Sequence, residues 1–401
     1  MADRIQKTLP AARLSPLEIQ WVNSESDISP DLWERCFPFP FEGRRWYQAL
    51  EHCGIQDQFS FLYGVVRDPS GAVAIAPAFL MDVPIRLVLP PALLPLANLL
   101  GRFVPSALYQ RTLFIGSPCS EEGMVGMLAD VNRLEVYRCI NRSLQVQAKR
   151  LKASMRVWKD FPPSCNEDFS ALAKSEGLFP LVSFPGTILR FAGPTREDYF
   201  ASLKASRRNK LKKKLKLAAS SPVDVEVLQQ PDARTLDEIF NLYWQTYEKG
   251  TTKFERLNRK FFDLIAKQSH SYFIVIREHA TGSIVAFMLC FALGEHVINK
   301  YVGMDYRQPK EWFLYFRLWD AVVDWSLSQG ARAILSSQTV YAPKIEMGHE
   351  LVPLTNYCAH RNPLIHRIYA AVARTVNWDT LDEDLAVYLE AYPELRPNFK
   401  K

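Results

Sequence analysis

The 401 residues contain no cysteines or histidines at metal-binding spacing, no phosphate-binding glycine loop and no apolar run long enough to cross a bilayer. Each absence removes a class of function. The seven cysteines (Cys36, Cys53, Cys119, Cys139, Cys165, Cys290 and Cys358) stand singly, in odd number and without a CxxC. That pattern reads as reduced thiols in a cytoplasmic protein. The seven histidines show neither HxxxH nor HExxH, so no metal ligand is assigned. Without GxxxxGK[ST] or GxGxxG, an ATP-dependent ligase or a Rossmann dehydrogenase is disfavoured, and no GxSxG elbow occurs. Met1–Pro16 carries charges where a secretory signal needs an apolar run. Leu87–Gly101, LVLPPALLPLANLLG, is too short to span and is interrupted by Pro90, Pro91 and Pro95.

What is present points to two globular units. A chain of this length exceeds what one core usually organises, and 48% apolar with 23% charged residues is ordinary globular composition. The first half reads as helices at Asp31–Phe37 and Trp46–Cys53, then an alternating run from Phe59 to Arg67. Asp68-Pro-Ser-Gly71 is the turn and Ala72–Leu80 returns, a β-hairpin signature. Thr112–Gly116 is expected as a strand, Met124–Leu151 as a long helix, and Ser154–Lys159 and Thr187–Phe191 as strands. The second half repeats the plan. Helices are expected over Arg196–Ala219, Ala233–Lys249 and Arg259–Gln268, followed by a hairpin over Tyr272–Leu293. His296–Tyr301 is a strand, Leu314–Gln329 a helix and Ala333–Ser336 a strand. This order implies an internal duplication of one α/β unit, with a boundary near 185–195, where Pro185, Gly186, Gly193 and Pro194 cluster.

Three stretches could carry chemistry. Eight of the thirteen residues from Lys204 to Lys216 are basic (Lys204, Arg207, Arg208, Lys210, Lys212, Lys213, Lys214 and Lys216), with no acid between them. An ordinary surface helix would relieve that repulsion with acids four residues away. The functional reading is a docking face for an anion, such as the phosphates of coenzyme A, an acyl carrier protein, tRNA or anionic lipid. The plain alternative is a solvated basic face. Asn299–Pro309 and Tyr341–His349 each mix a titratable side chain with Gly or Pro beside a strand, where open sheets place ligands. Asp305 could equally serve its own turn before Pro309. Among His349, His360 and His366, nothing marks one as a base.

Together these features resemble the FemAB-like branch of the GNAT superfamily, which includes peptidoglycan-bridge aminoacyltransferases and BioF-like acetyltransferase proteins. Phe37-Pro-Phe-Pro-Phe-Glu-Gly-Arg-Arg-Trp-Tyr-Gln-Ala-Leu50 is similar to that branch's opening motif and helix, and Ala76-Pro-Ala-Phe79 to its next strands. Tyr199–Leu211 resembles its "YxxxLxxxxRxxLRR" helix, Tyr301-Val-Gly-Met-Asp-Tyr306 its "YxxGxD" step and Phe313–Asp324 its following helix. Lys344 with Gly348, then Pro353, Tyr357 and His360, resembles its lysine-and-glycine element. The resemblance covers roughly 30–375.

The resemblance implies an α/β (α+β) chain of two tandem GNAT-like lobes, each a mixed, mainly antiparallel sheet flanked by helices. The expected units are a leader over 1–29, an N-terminal lobe over 30–190, a C-terminal lobe with the transfer site over 191–375 and a helical tail over 376–401. It implies acyl transfer to an amine. In such enzymes a bulged strand offers backbone N–H to the acyl carbonyl, and Lys344 inherits charge stabilisation at the reacting carbonyl. Tyr301 and Asp305 inherit acceptor-site or proton-handling roles, the three sharing a cleft in the second lobe. Donor binding falls to Arg207, Arg208, Lys212, Lys213 and Lys214, and acceptor binding to Tyr247, Tyr306, Tyr341 and His349.

The first reading is an N-acyltransferase with acyl-CoA or an acyl carrier protein as co-substrate, no tightly bound cofactor, and a small or lipid-linked amine acceptor. The second is an aminoacyl-tRNA-dependent transferase, against which stands the lack of a helical-hairpin insertion after Lys216. The third is a non-catalytic binding module, although no aromatic residue interleaves the basic run to stack on bases. Stretches 87–100 and 204–216 are expected as contacts with an anionic membrane, the chain being cytoplasmic and peripheral at the inner face. The leucines of 87–100 could also line an acyl channel, and burial in the first core is the alternative.

Overall fold

The structure, a computed structural model, describes residues 17–84, 108–250 and 253–393. The Leu-rich stretch 87–100 lies outside the described residues.

Seven strands open the chain: β1 (Glu18–Val22), β2 (Ser60–Asp68), β3 (Gly71–Pro84), β4 (Tyr109–Ile115), β5 (Gly126–Met127), β6 (Met155–Phe161) and β7 (Phe179–Val182). The second half supplies β8 (Gly186–Arg190), β9 (Val223–Leu228), β10 (Ser271–Glu278), β11 (Ile284–Leu293), β12 (His296–Met304), β13 (Ala333–Ser336), β14 (Glu350–Val352) and β15 (Thr355–His360). They form two sheets, ordered β1-β2-β3-β4-β6-β15-β7, with β5 added on β3, and β9-β10-β11-β12-β13-β8-β14. Apart from β5 the two sheets are the same object. In each, the first three pairings are antiparallel, the fourth (β4–β6 or β12–β13) is parallel and the last two are antiparallel. The hairpins β2–β3 and β10–β11 hold equivalent places, as the repeated sequence order implies.

The halves are not separate along the chain. After β7 the chain crosses to the second sheet, where β8 pairs β13. After β14 it crosses back, and β15 pairs β6 in the first sheet. The lobes have thus exchanged one strand each. This corrects the expected division at 190. Residues 186–190 already belong to the second sheet, 355–360 return to the first, and β1 gives the leader a strand.

Several helices follow their sequence signals closely. Ser29 caps Pro30–Cys36, its hydroxyl accepting from Leu32 N at 3.3 Å, with Pro30 at the first position. Asp232 caps Ala233–Lys249, accepting from Thr235 N at 2.8 Å. Two expectations fail locally. The long helix over Met124–Leu151 is shortened to Arg133–Arg150, because Gly126 and Met127 pair with β3 and Asn132 caps the later start. Arg196–Ala219 splits into Arg196–Ser202 and Ala205–Ala218, since Leu203 and Lys204 take extended backbone angles.

Three cores result. One backs the outer face of the first sheet around Trp158 and Phe169, and one that of the second around Trp319. The third lies between the lobes and draws on both. There Trp46 meets the rings of Phe261 and Phe291 edge-on at 5.8 and 5.9 Å, and Phe254 of the second half packs near Phe59, Phe79 and Phe114. Asn258 caps Arg259–Ala266 and donates from Nδ2 to Cys53 O at 2.7 Å, tying the second lobe to the end of a first-lobe helix. No helix among the described residues is long and apolar enough to cross a membrane.

Candidate active site between the lobes

A parallel strand pair must eventually part, and ligands in open sheets bind beyond the carboxyl ends of such strands. Here the pairing of β4 with β6 ends at Ile115 and Trp158, and that of β12 with β13 at Asn299 and Ser336. The residues just past both partings meet each other. From the first lobe come Cys119, Glu121, Glu122, Lys159 and Asp160; from the second come Lys300, Tyr301, Ser337 and Lys344.

Lys300 is the hinge of the cluster. Its ammonium pairs with Glu42 and with Glu121 at 3.2 Å, donates to Cys119 O at 3.0 Å, and lies 4.3 Å over the Trp46 ring. All three charged side chains are nearly inaccessible. Burial works against the Lys300 charge, but Glu42 and Glu121 outweigh it and raise its pKa. A break in period brings Lys300 and Tyr301 together. Strand alternation would send them to opposite faces. Leu289 pairs with Tyr301 and Cys290 with Asn299, leaving Lys300 as an extra residue in a β-bulge. Ile298 and Tyr301 consequently both face the interlobe core.

Lys344 sits on the short helix Tyr341–Glu346, and only 4% of it is exposed. Its ammonium donates to Ser337 O, bridging the end of β13 to this helix. Burial lowers its pKa to about 8, opposed by the charge of Glu121. Burial also raises the carboxyl of Glu121, against the attraction of Lys300. Two further carboxyls are pushed up to about 7 by burial: Glu122, with Glu42 and Glu121 adding repulsion, and Glu255, where Lys159 pulls the other way. Tyr301 donates to Glu255 at 3.5 Å. Around Lys344, Glu121 Oε2, Ser336 Oγ, Gln338 Nε2 and both ring nitrogens of His349 are buried without a hydrogen-bond partner among the described residues.

The structure brings together only part of the expected set. Lys344 and Tyr301 share the cluster, linked through Glu121, Lys300 and Glu255. The cluster therefore lies between the lobes and does not belong to the second lobe alone. Asp305 is spent in its own turn. Its carboxylate accepts from Arg307 N, Nε and Nη2 at 3.1, 2.9 and 3.0 Å and from Gln308 Nε2 at 3.1 Å. The hydrogen bonds from Arg307 lower its pKa. His349 is buried against Trp319, its backbone N donating to Lys344 O at 3.0 Å, and burial holds its ring neutral. Tyr341 is fully buried and donates to Pro185 O at 2.9 Å, a brace across the strand exchange. Tyr247 stacks on Trp244 under the Lys253 ammonium, and exposed Tyr306 carries Lys249 over its ring at 3.6 Å.

Much of the basic helix is engaged. Lys214 pairs with both oxygens of Glu346 at 2.7 Å and lies 3.8 Å over Phe316. Arg208 donates to Phe200, Ala201 and Leu203 carbonyls at 3.3–3.4 Å, closing the preceding helix. Lys212 lies over Phe200, and Arg207 reaches toward Tyr392. Lys210, Lys213 and Lys216 have no ion-pair partner among the described residues. Glu346 and Lys344 are two residues apart on one helix, so the basic helix backs the outside of the element whose inside carries Lys344.

Sequence reasoning missed Glu42, Glu121, Glu122, Lys159, Glu255 and the role of Lys300. Glu42 and Lys300 stood inside quoted motifs, and Glu121-Glu122-Gly123 was a visible acidic pair. The signal lacking was the bulge, without which Lys300 and Tyr301 cannot be read as neighbours.

The segment 192–336 matches the FemAB-like family model, described as peptidoglycan biosynthesis/recognition. The comparison with curated proteins finds no match. The fold is similar to that of FemX at 10% identity and TM-score 0.59, over 88% of this chain and 100% of the other. It is also similar to the C-terminal domain assigned as a lysylphosphatidylglycerol synthetase from Agrobacterium fabrum (13%, 0.51, over 83% and 91%). A tandem GNAT protein from the clavulanic acid biosynthesis pathway matches at 11% and 0.50, over 87% and 99%. Residues 192–336 thus carry the FemAB-like signature within a chain whose fold is the tandem GNAT-like one.

Proposed function

We propose that the chain is a transferase that places an acyl group on an amine, with the buried interlobe cluster as its site. Lys344 is the observation that carries this reading. It is a buried ammonium at the end of a parted strand pair, with polar atoms around it that no group among the described residues satisfies. Buried polar groups are rarely left unpaired, so these are suited to groups a substrate brings. In the proposed reaction the amine nitrogen attacks the acyl carbonyl, a C–N bond forms and the bond to the donor sulfur breaks. The amine proton passes to a carboxylate poised near neutrality, Glu255 or Glu122, and the thiolate leaves. The Lys344 ammonium faces the developing oxyanion, where a dry setting makes its charge count for more than in water.

The donor in the first reading is a thioester, acyl-CoA or an acyl carrier protein, docking its phosphates on the free lysines of Ala205–Ala218. The direct run from that helix into β9, without an inserted helical hairpin, supports this choice over tRNA. A second reading is aminoacyl transfer from charged tRNA to a cell-wall or lipid acceptor. The family description and the names of FemX and the lysylphosphatidylglycerol synthetase support it. Incubating the purified chain with a mixed acyl-CoA pool and weighing what it retains tests the first. Retention of one species supports it, aminoacyl transfer from charged tRNA without retention shifts to the second, and neither result leaves no transferase.

A further inference from the structure

The helix Pro363–Ala373 buries one residue, Ala373, and turns much of its apolar content outward. Leu364 is 67% exposed and Ile368 50%. At 100° per residue these two align with Ala371 and Val372 in one stripe. The opposite side meets the protein. His366 Nδ1 accepts from His360 N at 3.3 Å, its ring lies 5.0 Å from that of Phe179, and Gln110 donates to the Tyr369 hydroxyl at 3.4 Å. Arg367 and Arg374 fall on one flank of the stripe. Both are exposed, and neither has an ion-pair partner among the described residues.

An apolar stripe bordered by arginines without an ion-pair partner among the described residues matches the chemistry of an anionic bilayer surface, where acyl chains lie beneath negative headgroups. We infer that this face docks the protein on an anionic membrane, the helix lying in the plane of the interface. The charge pattern selects lipid over a second copy of the chain, since self-pairing would place like-charged arginines together. The inference does not rest on the transferase reading, and its test involves no catalysis.

Co-sedimentation of the full chain with vesicles of phosphatidylcholine and phosphatidylglycerol at 3:1, against pure phosphatidylcholine, is the experiment. Wild type is expected to sediment with the anionic vesicles only. Arg367→Gln with Arg374→Gln should lower partitioning about thirtyfold at low salt, at roughly fivefold per arginine. Leu364→Ser with Ile368→Ser should abolish it while leaving the melting temperature unchanged, because both side chains are exposed. In Leu364→Trp, brominated lipid should quench the added emission. Wild type that stays in solution would overturn the inference. So would full binding by the Leu364/Ile368 variant, which assigns the membrane contact to another surface such as Ala205–Ala218. A wild-type dimer that this variant converts to monomer would assign the stripe to a second copy.

Discussion

The two strand partings are equivalent in the sheets and opposite in charge. Past β4 and β6 the first lobe presents Glu121, Glu122 and Asp160, with Lys159 held by its neighbour Asp160. Past β12 and β13 the second presents Lys300 and Lys344. A duplicated fold has reproduced the geometry while the two copies carry opposite charge at the parting. Even the two lysines differ. Lys300 is held charged by two carboxylates, so it binds the lobes together. Lys344 has a carbonyl and one more distant acid, so burial loosens its proton. One is locked in an ion pair, and the other is the group that the proposed reaction would use.

Lys300→Met should separate these roles most sharply. It strands Glu42 and Glu121 in the interlobe core, and losing one partner of a buried ion pair costs about 3–5 kcal/mol. Denaturant unfolding should show this loss, whereas Lys344→Met should be close to wild type.

Gly303→Ala ranks next. A Cβ there would meet the backbone of Leu242 and Tyr243 at 2.6 Å, and so force Ala233–Lys249 away from β12. Overpacking of this kind costs about 1–3 kcal/mol, and the far-UV signal should be retained while the midpoint falls.

A smaller effect is a slope in pH. The unfolded chain releases the Glu255 proton near the ordinary carboxylate value of 4.5, while the folded site holds it to about 7. Folding therefore binds protons in that window, and stability falls as pH rises through it. Glu255→Gln should flatten the part of the slope due to this residue. For Lys344 the sign is opposite. From about 8 to 10.5 the unfolded chain holds more protons than the folded one, so stability rises with pH there. Smallest is Lys213→Gln, within about 0.5 kcal/mol of wild type in stability. It should still weaken donor binding and flatten its salt dependence if the helix docks phosphates.

How far the sequence was legible follows physical lines. Alternation and turn chemistry are local, so the hairpin around Asp68–Gly71, the Asp232-capped helix and the repeated order of elements could be read directly. The strand exchange could not, because β8 and β15 carry no local mark of which sheet they join. Lys344 was found through resemblance, and its burial on the short helix Tyr341–Glu346 has no local mark in the sequence. Asp305 matched a motif but is occupied by Arg307, two residues away. The acids of the first lobe escaped because their significance lies in a contact between residues roughly 180 positions apart, Glu121 with Lys300.

The central claim is that Lys344 stabilises charge arising during transfer. It is tested most directly by turnover of wild type and Lys344→Met on one donor and one amine, measured across pH. The account predicts a bell-shaped wild-type profile, rising as a carboxyl near 7 loses its proton and falling as Lys344 loses its own near 8. The variant should turn over about two to three orders of magnitude more slowly, keep its donor affinity and lose the alkaline limb. A variant as fast as wild type, with the same alkaline limb, would contradict it.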